Sequence, residues 1–327
     1  MLIDTHGRIA RDLRVSLTDR CNLRCTYCMP EEGLRWLAKP ELLTDDEVVR
    51  LVSVAVTELG VTEVRFTGGE PLLRPGLVGI VERCAALAPR PRLSLTTNGI
   101  GLARTAEALR AAGLDRVNVS LDTLRPEVFR ILTRRDRHHD VIAGLDAARA
   151  TGLLPVKVNS VLMRGVNDDE APDLLDWALR HDYELRFIEQ MPLDAQHGWQ
   201  RGDMVTAAEI LERLGARFAL TPDAVRGSAP AERWLVDGGP ARVGVIASVT
   251  RPFCRACDRT RLTADGQVRD CLFAREESDL RTALRSGASD QDIAGLWRTA
   301  MWGKKAGAGL DDASFVQPER PMSAIGG

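Results

Sequence analysis

Three cysteines stand within eight residues in Cys21-Asn22-Leu23-Arg24-Cys25-Thr26-Tyr27-Cys28, spaced C-x3-C-x2-C. That spacing brings three thiolates to one point from a short loop, with no fourth cysteine nearby. A structural zinc site closes with four ligands, commonly as two C-x2-C pairs. A soft-metal site with three protein thiolates keeps one coordination position open, and an open position is where chemistry takes place. The residues point to a catalytic [4Fe-4S] cluster, with a zinc or inert-thiol site as the alternative.

A second group, Cys254-Arg255-Ala256-Cys257, is joined by Cys271 after thirteen intervening residues. A three-thiol zinc site completed from elsewhere would share this count. All five histidines, however, lie at or before position 197. A second cluster with one open iron is therefore the preferred reading. The seventh cysteine, Cys84, sits inside the apolar pattern Val81-Glu82-Arg83-Cys84-Ala85 and is expected to be a buried packing thiol.

Arg259 and Arg261 alternate just after the second group, so in an extended segment both point to one face. Paired guanidiniums suit a phosphate-rich ligand through forked, charge-assisted hydrogen bonds, although arginines facing solvent would read the same way. Only four of the 44 basic residues are lysines, namely Lys39, Lys157, Lys304 and Lys305, so a lysine at a special place carries more information than an arginine. Lys157 lies in the apolar run Val156-Lys157-Val158. Its ammonium is costly to desolvate unless an anion pairs with it. Arg14 and Arg65 sit in apolar runs just ahead of the cysteine loop and of Gly68-Gly69-Glu70-Pro71. Cations converging on one mouth would balance a triphosphate. The Gly68-Gly69 pair lets a backbone approach a ligand closely, and the carboxylate of Glu70 could hold an ammonium group. Gly326-Gly327 at the end is either a flexible terminus or a segment thin enough to thread into a narrow site.

These residues need a scaffold, and the apolar pattern supplies one. From Asp12 to about Gln190, short apolar runs alternate with amphipathic stretches of helical period. Strands are expected over 12–17, 63–66, 93–96, 116–121, 155–162 and 184–189, with helices after Thr44-Asp45-Asp46-Glu47 and over 77–87, 103–112, 139–150 and 170–180. Six βα units imply a parallel sheet with right-handed crossovers, short of the eight of a closed barrel. The candidate motifs fall at the carboxyl ends of the strands, where such sheets gather ligands. After Pro192 the pattern changes to a helix from Thr206, short strands near 233–236 and 242–246, and a hairpin at Asp265-Gly266. This region is expected to cover the barrel mouth. Residues 304–327, rich in Gly, Pro and Ala, are expected to be mobile.

The chain has 327 residues, 44% hydrophobic, with a formal net charge of −2, which gives no warrant for non-specific nucleic-acid binding. No run approaches the roughly 18 apolar residues of a membrane span, and the start lacks a signal-peptide pattern, so a cytoplasmic protein is expected.

The first cysteine motif, with Tyr27 before its last cysteine, resembles the radical S-adenosylmethionine (SAM) superfamily. Both cysteine groups, Arg259-Thr260-Arg261 and the terminal Gly326-Gly327 together resemble the GTP 3′,8-cyclase family of molybdenum cofactor biosynthesis, over essentially the whole chain. The resemblance implies an incomplete (β/α)6 barrel over 1–192. It further implies a C-terminal region over 193–303 carrying a second [4Fe-4S] cluster, and a flexible tail over 304–327. It implies that Cys21, Cys25 and Cys28 hold the SAM cluster, with Tyr27, Gly69, Ser120 and Met191 contacting SAM. Cys254, Cys257 and Cys271 would hold the second cluster. Arg14, Arg65, Thr96, Lys157, Arg259, Thr260 and Arg261 would contact GTP, with Arg259, Arg261, Gly326 and Gly327 needed for turnover. The implied reaction removes hydrogen from C3′ of GTP and joins C3′ to C8 of guanine. The product would pass to cyclic pyranopterin monophosphate synthase, with electrons from an external one-electron reductant. The enzyme is expected to be a monomer or homodimer. The competing enzyme reading is a radical SAM peptide-modifying maturase, which commonly carries more cysteines in its appended region and has no need of Arg259 and Arg261. A non-catalytic metal-binding scaffold is the competing reading from another class.

Overall fold

A computed structural model describes residues 1–327 apart from 224–226, 311, 313–314 and 327, so Gly327 lies outside the described residues. The first part runs β1 (Asp12–Ser16), α1 (Asp45–Thr57), β2 (Glu63–Thr67), α2 (Leu77–Ala85), β3 (Arg92–Thr97), α3 (Leu102–Ala111) and β4 (Arg116–Ser120). It continues with α4 (Pro126–Thr133), α5 (His138–Ala150), β5 (Lys157–Val161), α6 (Ala171–Arg180) and β6 (Glu184–Ile188). The second part holds α7 (Ala207–Gly215), β7 (Leu220–Asp223), β8 (Glu232–Val236), β9 (Arg242–Ile246), β10 (Arg259–Leu262) and β11 (Gln267–Arg269). It ends with β12 (Ser278–Asp279), α8 (Leu280–Arg285), α9 (Asp290–Trp302) and α10 (Met322–Ile325).

Helix starts follow local chemistry. Thr44 caps α1 by accepting from the Glu47 N–H at 3.2 Å, while the Glu47 carboxylate accepts from the Thr44 N–H at 2.7 Å. Thr206 with Glu209 and Ser289 with Asp292 repeat the device at α7 and α9.

All strands join one sheet in the order β12-β11-β10-β1-β2-β3-β4-β5-β6-β9-β8-β7. The expected six parallel strands are present, and two more extend them: β10 pairs parallel with β1, and β9 pairs parallel with β6. The region after Pro192 is thus built into both flanks of the sheet. Local periodicity reveals neither partner, because each pairing spans far more chain than one βα unit.

The two faces of the sheet divide by residue parity. Leu13, Val15, Val64, Phe66, Leu93, Leu95, Val117, Val119, Val158, Leu185, Phe187, Val243 and Val245 are at most 1% exposed and belong to the core cluster shared with the helices. Each such side chain contributes about 1.5–3 kcal/mol by leaving water. The alternate residues carry the polar groups, and the register lines them up across strands. One row runs Arg261, Arg14, Arg65, Ser94, Arg116 on five neighbouring strands. Another runs Thr96, Asn118, Lys157, Glu184.

Candidate active site

The first cysteine loop leaves the carboxyl end of β1 and is fastened on three sides. The Gly69 N–H donates to the Thr18 carbonyl at 2.7 Å and the Glu70 N–H to the Arg20 carbonyl at 2.7 Å. Asn98, past β3, donates to Asn22 Oδ1 at 2.7 Å and to Cys21 Sγ at 3.8 Å. The α4 end supports the far side, with Arg24 N donating to Thr133 O at 3.0 Å and Arg134 Nη1 to Arg24 O at 3.1 Å and Met29 O at 3.2 Å.

The three thiols stand close enough to feel one another's charge. Burial first, then the neighbouring cysteines, raises the thiol pKa of Cys25, and the same two effects push Cys28 up to about 12. Such thiols ionise only opposite a concentrated positive charge, which an iron centre provides. Among the described residues no three Cys, His, Asp or Glu side chains converge as ligands of a single metal ion. Tetrahedral zinc with bonds near 2.3 Å would require sulfurs about 3.8 Å apart. Cys21, Cys25 and Cys28 are the residues that would hold a [4Fe-4S] cluster, and their burial and mutual electrostatic coupling suit thiolates on an iron–sulfur centre.

Four further predicted residues share the carboxyl-terminal end of the strands. Tyr27 Oη donates to Asp122 Oδ2 at 2.6 Å, and Asp122 Oδ1 accepts from Val161 N at 2.8 Å. Burial lifts the Asp122 carboxyl to about 6, with the Tyr27 and Val161 bonds opposing. Ser120 ends β4 opposite Asn159, and Met191 follows β6, its carbonyl accepting from Leu193 N at 2.8 Å. Gly69 is obligatory because a Cβ there would lie 2.3 Å from the Arg20 carbonyl oxygen and 2.5 Å from that of Asp19. The close approach that the glycine permits is to the cysteine loop itself. Glu70 corrects an expectation: its carboxylate is fully buried and accepts from Leu72 N (2.9 Å), Thr97 Oγ1 (2.7 Å) and Asn98 N (2.7 Å). Its lone pairs tie two loops together and are not turned to a ligand's ammonium.

The second cysteine group occupies the opposite end of the strands. Cys254 and Cys257 immediately precede β10, which is parallel to β1, and the Asp258 carbonyl accepts from the N–H groups of Arg11 and Asp12 at the start of β1. Cys271 follows β11, which returns antiparallel to β10. The second thiol group itself is therefore not at the mouth holding Cys21, Cys25 and Cys28: the two groups stand at opposite ends, roughly one five-residue strand, ~16 Å, apart along the sheet. The start of the appended region does meet the first loop, with the Ala195 N–H donating to the Cys28 carbonyl at 3.3 Å. The spacing of cysteines in a sequence carries no strand direction, so this was not readable. Cys257 and Cys271 feel each other's charge. Burial opposes ionisation of Cys257, but Lys304 and Arg259 outweigh it and hold the thiol below its ordinary value.

Between the two ends lies the arginine row. Like charges directly opposite on neighbouring strands repel. Arg116 pairs with Glu63 at 3.0 Å, and Arg14 reaches Asp12 at 3.6 Å. Arg65 donates to Ser94 Oγ at 3.3 Å, and among the described residues neither it nor Arg261 has a carboxylate within ion-pair distance. Burial, then Arg14, pulls Arg65 well below its usual value; Arg261 is lowered by burial, then by Arg14 and Arg259. A guanidinium keeps its proton nonetheless, so the crowding is electrostatic stress that an anion would relieve. Among the described residues, buried Arg14 Nε, Arg259 Nε, Asn118 Oδ1 and Asn159 Oδ1 have no hydrogen-bond partner, so this face has polar capacity to offer a guest. Lys157 joins it, 2.9 Å from Glu184. Thr96 Oγ1 accepts from Asn118 Nδ2 at 3.5 Å. Thr260 departs from expectation, because its side chain turns to the other face and accepts from Trp297 Nε1 at 2.9 Å.

Asp12, Arg116, Asn118, Asn159 and Arg186 belong to this face and were missed. Their signal, a polar residue at alternate positions of an otherwise apolar strand, is the one that identified Arg14, Arg65 and Lys157.

The tail also departs from its composition. Arg320 pairs with Asp265 and Glu277, both at 2.7 Å, and Met322 N donates to Leu193 O at 3.0 Å. Ile325 is fully buried, and the Gly326 carbonyl accepts from Arg261. Gly326 has φ +84°, and a Cβ there would lie 2.7 Å from Thr67 Cγ2. The fixed charges of Arg320 and the buried Ile325 anchor what glycine and proline content alone suggests is loose.

Residues 15–178 match a family profile described as the radical SAM superfamily, and residues 183–310 match one described as Molybdenum Cofactor Synthesis C. Among solved structures, Streptococcus suis SuiB bound to S-adenosylmethionine aligns with TM-score 0.60 and 13% identity over 96% of this chain and 76% of that one. SuiB bound to precursor peptide SuiA gives 0.63, also at 13% identity, over 96% and 75%. At that identity the likeness concerns the fold alone. A protein of Streptomyces coelicolor named GTP 3′,8-cyclase is 80% identical over 100% of this chain and 96% of its own length. One of Mycobacterium sp. (strain KMS) with the same name is 64% identical over 100% and 93%. Full-length identity of that order, added to the two thiol groups and the arginine row between them, means that the chain belongs to the GTP 3′,8-cyclase family of radical SAM enzymes.

Proposed function

We propose that the family activity, radical SAM cyclisation of GTP to (8S)-3′,8-cyclo-7,8-dihydroguanosine 5′-triphosphate at the first step of molybdenum cofactor biosynthesis, is carried in this chain by the polar face between the two thiol groups. The observation that supports this most is the row Arg261, Arg14, Arg65, Ser94, Arg116, four cations on five adjacent strands with too few carboxylates. A triphosphate supplies the missing negative charge through charge-assisted, forked bonds. Lys157, Arg186 and Arg259 extend the grip, and Thr96, Asn118 and Asn159 offer neutral partners for sugar or base.

Cys21, Cys25 and Cys28 would hold a [4Fe-4S] cluster, and Cys254, Cys257 and Cys271 a second one that seats the guanine. Bound at the first site, cluster and SAM supply a 5′-deoxyadenosyl radical able to take hydrogen from C3′ of GTP. The chain's own share is placement and exclusion of water. Tyr27, fixed by Asp122, and Gly69, Ser120 and Met191 line the SAM end. The tail closes against Arg261, Ser16 and Thr67 through Gly326, too narrow a passage for any side chain. Gly327 is assigned to the same closure. Residues 1–192 form the SAM-binding unit and 193–303 the auxiliary-cluster unit, which also completes the sheet. Among the described residues no helix is long and apolar enough to cross a membrane. We assign the chain to the cytoplasm, as monomer or homodimer, drawing electrons from an external one-electron reductant and passing its product to cyclic pyranopterin monophosphate synthase.

Anaerobically reconstituted protein given GTP, SAM and dithionite should form the cyclised nucleotide. With GTP deuterated at C3′, the label should appear in 5′-deoxyadenosine. SAM cleavage with no GTP-dependent product would overturn the assignment and reopen the peptide-modifying reading.

A further inference from the structure

Lys304 is one of four lysines in a chain with 44 basic residues, and it is only 3% exposed. It follows α9, and its Nζ donates to Cys257 Sγ at 3.4 Å and to the Arg259 carbonyl at 2.7 Å. Among the described residues no carboxylate lies within ion-pair distance of it. A buried ammonium with no carboxylate in contact is costly, and the acidic groups that feel its charge are Asp270 and the thiols of Cys257 and Cys271.

The position is actively held. Arg8 reaches the segment from the start of the chain, donating to the carbonyls of Lys305 (2.6 Å) and Ala306 (3.1 Å). The same guanidinium donates to the Cys254 carbonyl at 2.8 Å and is oriented by Asp4 through Nε at 2.5 Å. One arginine thus clamps the lysine-bearing segment to the second cysteine turn, and the lysine closes the clamp from inside.

We propose that Lys304 is the counter-ion and hydrogen-bond donor of the auxiliary cluster, setting its reduction potential through Cys257. The proposal rests on the reading of Cys254, Cys257 and Cys271 as cluster ligands. A cluster on three thiolates is anionic and becomes more so on gaining an electron. A fixed ammonium beside one ligand sulfur favours the reduced form and raises the potential, since hydrogen bonds to sulfur and net charge both tune it. Lys304 is accordingly a positioning and tuning residue that need not touch GTP.

The test uses full-length protein with Cys21, Cys25 and Cys28 changed to Ala, so that only the auxiliary cluster remains. Iron content and an EPR-monitored redox titration are the readouts. About four iron per chain is expected in this background. Lys304→Met should lower the ratio of reduced to oxidised cluster at a fixed potential by at least tenfold, which is 59 mV for one electron. Lys304→Gln, which keeps a donor without the charge, should fall between. Full iron with an unchanged midpoint in Lys304→Met would overturn the proposal. So would loss of iron in both variants, which would make Lys304 a builder of the site and not its tuner. Absence of iron from the background protein itself would instead remove the second-cluster reading, a distinguishable failure.

Discussion

Replacing Lys157 by Met tests the polar face most directly. The Lys157 side chain is 11% exposed and lies 2.9 Å from Glu184 Oε2. Burial first, then Arg186, lowers its ammonium from 10.5 to about 8, while Glu184 pulls the other way. At pH 7 the charged form is thus about 3 kcal/mol worse off than in water. For a base whose value is lower in the folded state, that cost is full below pH 8, fades between 8 and 10.5, and is gone above. A phosphate oxygen beside Lys157 would return it toward its ordinary value, so GTP binding must draw a proton from solvent. At pH 8, where half the free protein carries a neutral Lys157, uptake should be about 0.5 proton per GTP, and about 0.1 at pH 7. Titration calorimetry at pH 8 in buffers of different ionisation enthalpy measures it. Lys157→Met should lose the uptake. It should also bind GTP roughly 10- to 100-fold more weakly, the 1.5–3 kcal/mol of a charged hydrogen bond. Buffer-independent heats for the unaltered chain, or the same uptake in the variant, would refute the placement of phosphate at Lys157.

On the proposed two-cluster reading, Cys25→Ala should lower iron from about eight to about four per chain and abolish SAM cleavage, leaving the EPR signal of the proposed second cluster in place. Gly326→Ala puts a methyl 2.7 Å from Thr67 Cγ2 at a φ of +84°, so cyclised product should be lost while GTP still binds. Limited proteolysis should then cut the released tail faster, and unchanged turnover would show that the tail's seat is dispensable. Glu70, raised by burial to about 7 despite its hydrogen bonds, favours the fold below pH 4.5, and that advantage is lost as pH rises through 7. Between pH 5 and 8, urea unfolding of the unaltered chain should therefore lose about 2.5 kcal/mol more than that of Glu70→Gln. Parallel pH profiles would contradict it.

The sequence made legible whatever depends on short-range pattern. The βα alternation, the Thr44 and Thr206 starts and the Asp265-Gly266 hairpin all appear near their expected places. So does Cys84, fully buried in α2. The helix α4 was overlooked because its eight residues give barely two turns of periodicity, yet it props the first cysteine loop. Pairing between β10 and β1 joins residues some 250 apart, and nothing local announces it. With that pairing unknown, the end of the sheet that receives Cys254, Cys257 and Cys271 was also unknown. Lys304 was noticed as a rare lysine but had no partner until the end of α9 was seen to face Cys257. A carboxylate beside glycines looks available from sequence, whereas in the fold three donors already occupy Glu70.

The cations of the polar face are set out by pleat parity, so the cradle is written in a two-residue frame. Losing or gaining one residue inside β1 or β2 would swap Arg14 for Leu13 or Val15, or Arg65 for Val64 or Phe66, presenting hydrocarbon where charge is needed and charge to the helices behind. A change of two residues would keep the chemistry and merely alter its height along the strand. Divergence in this lineage should therefore fall in the connecting loops, with any length change inside these strands confined to even steps.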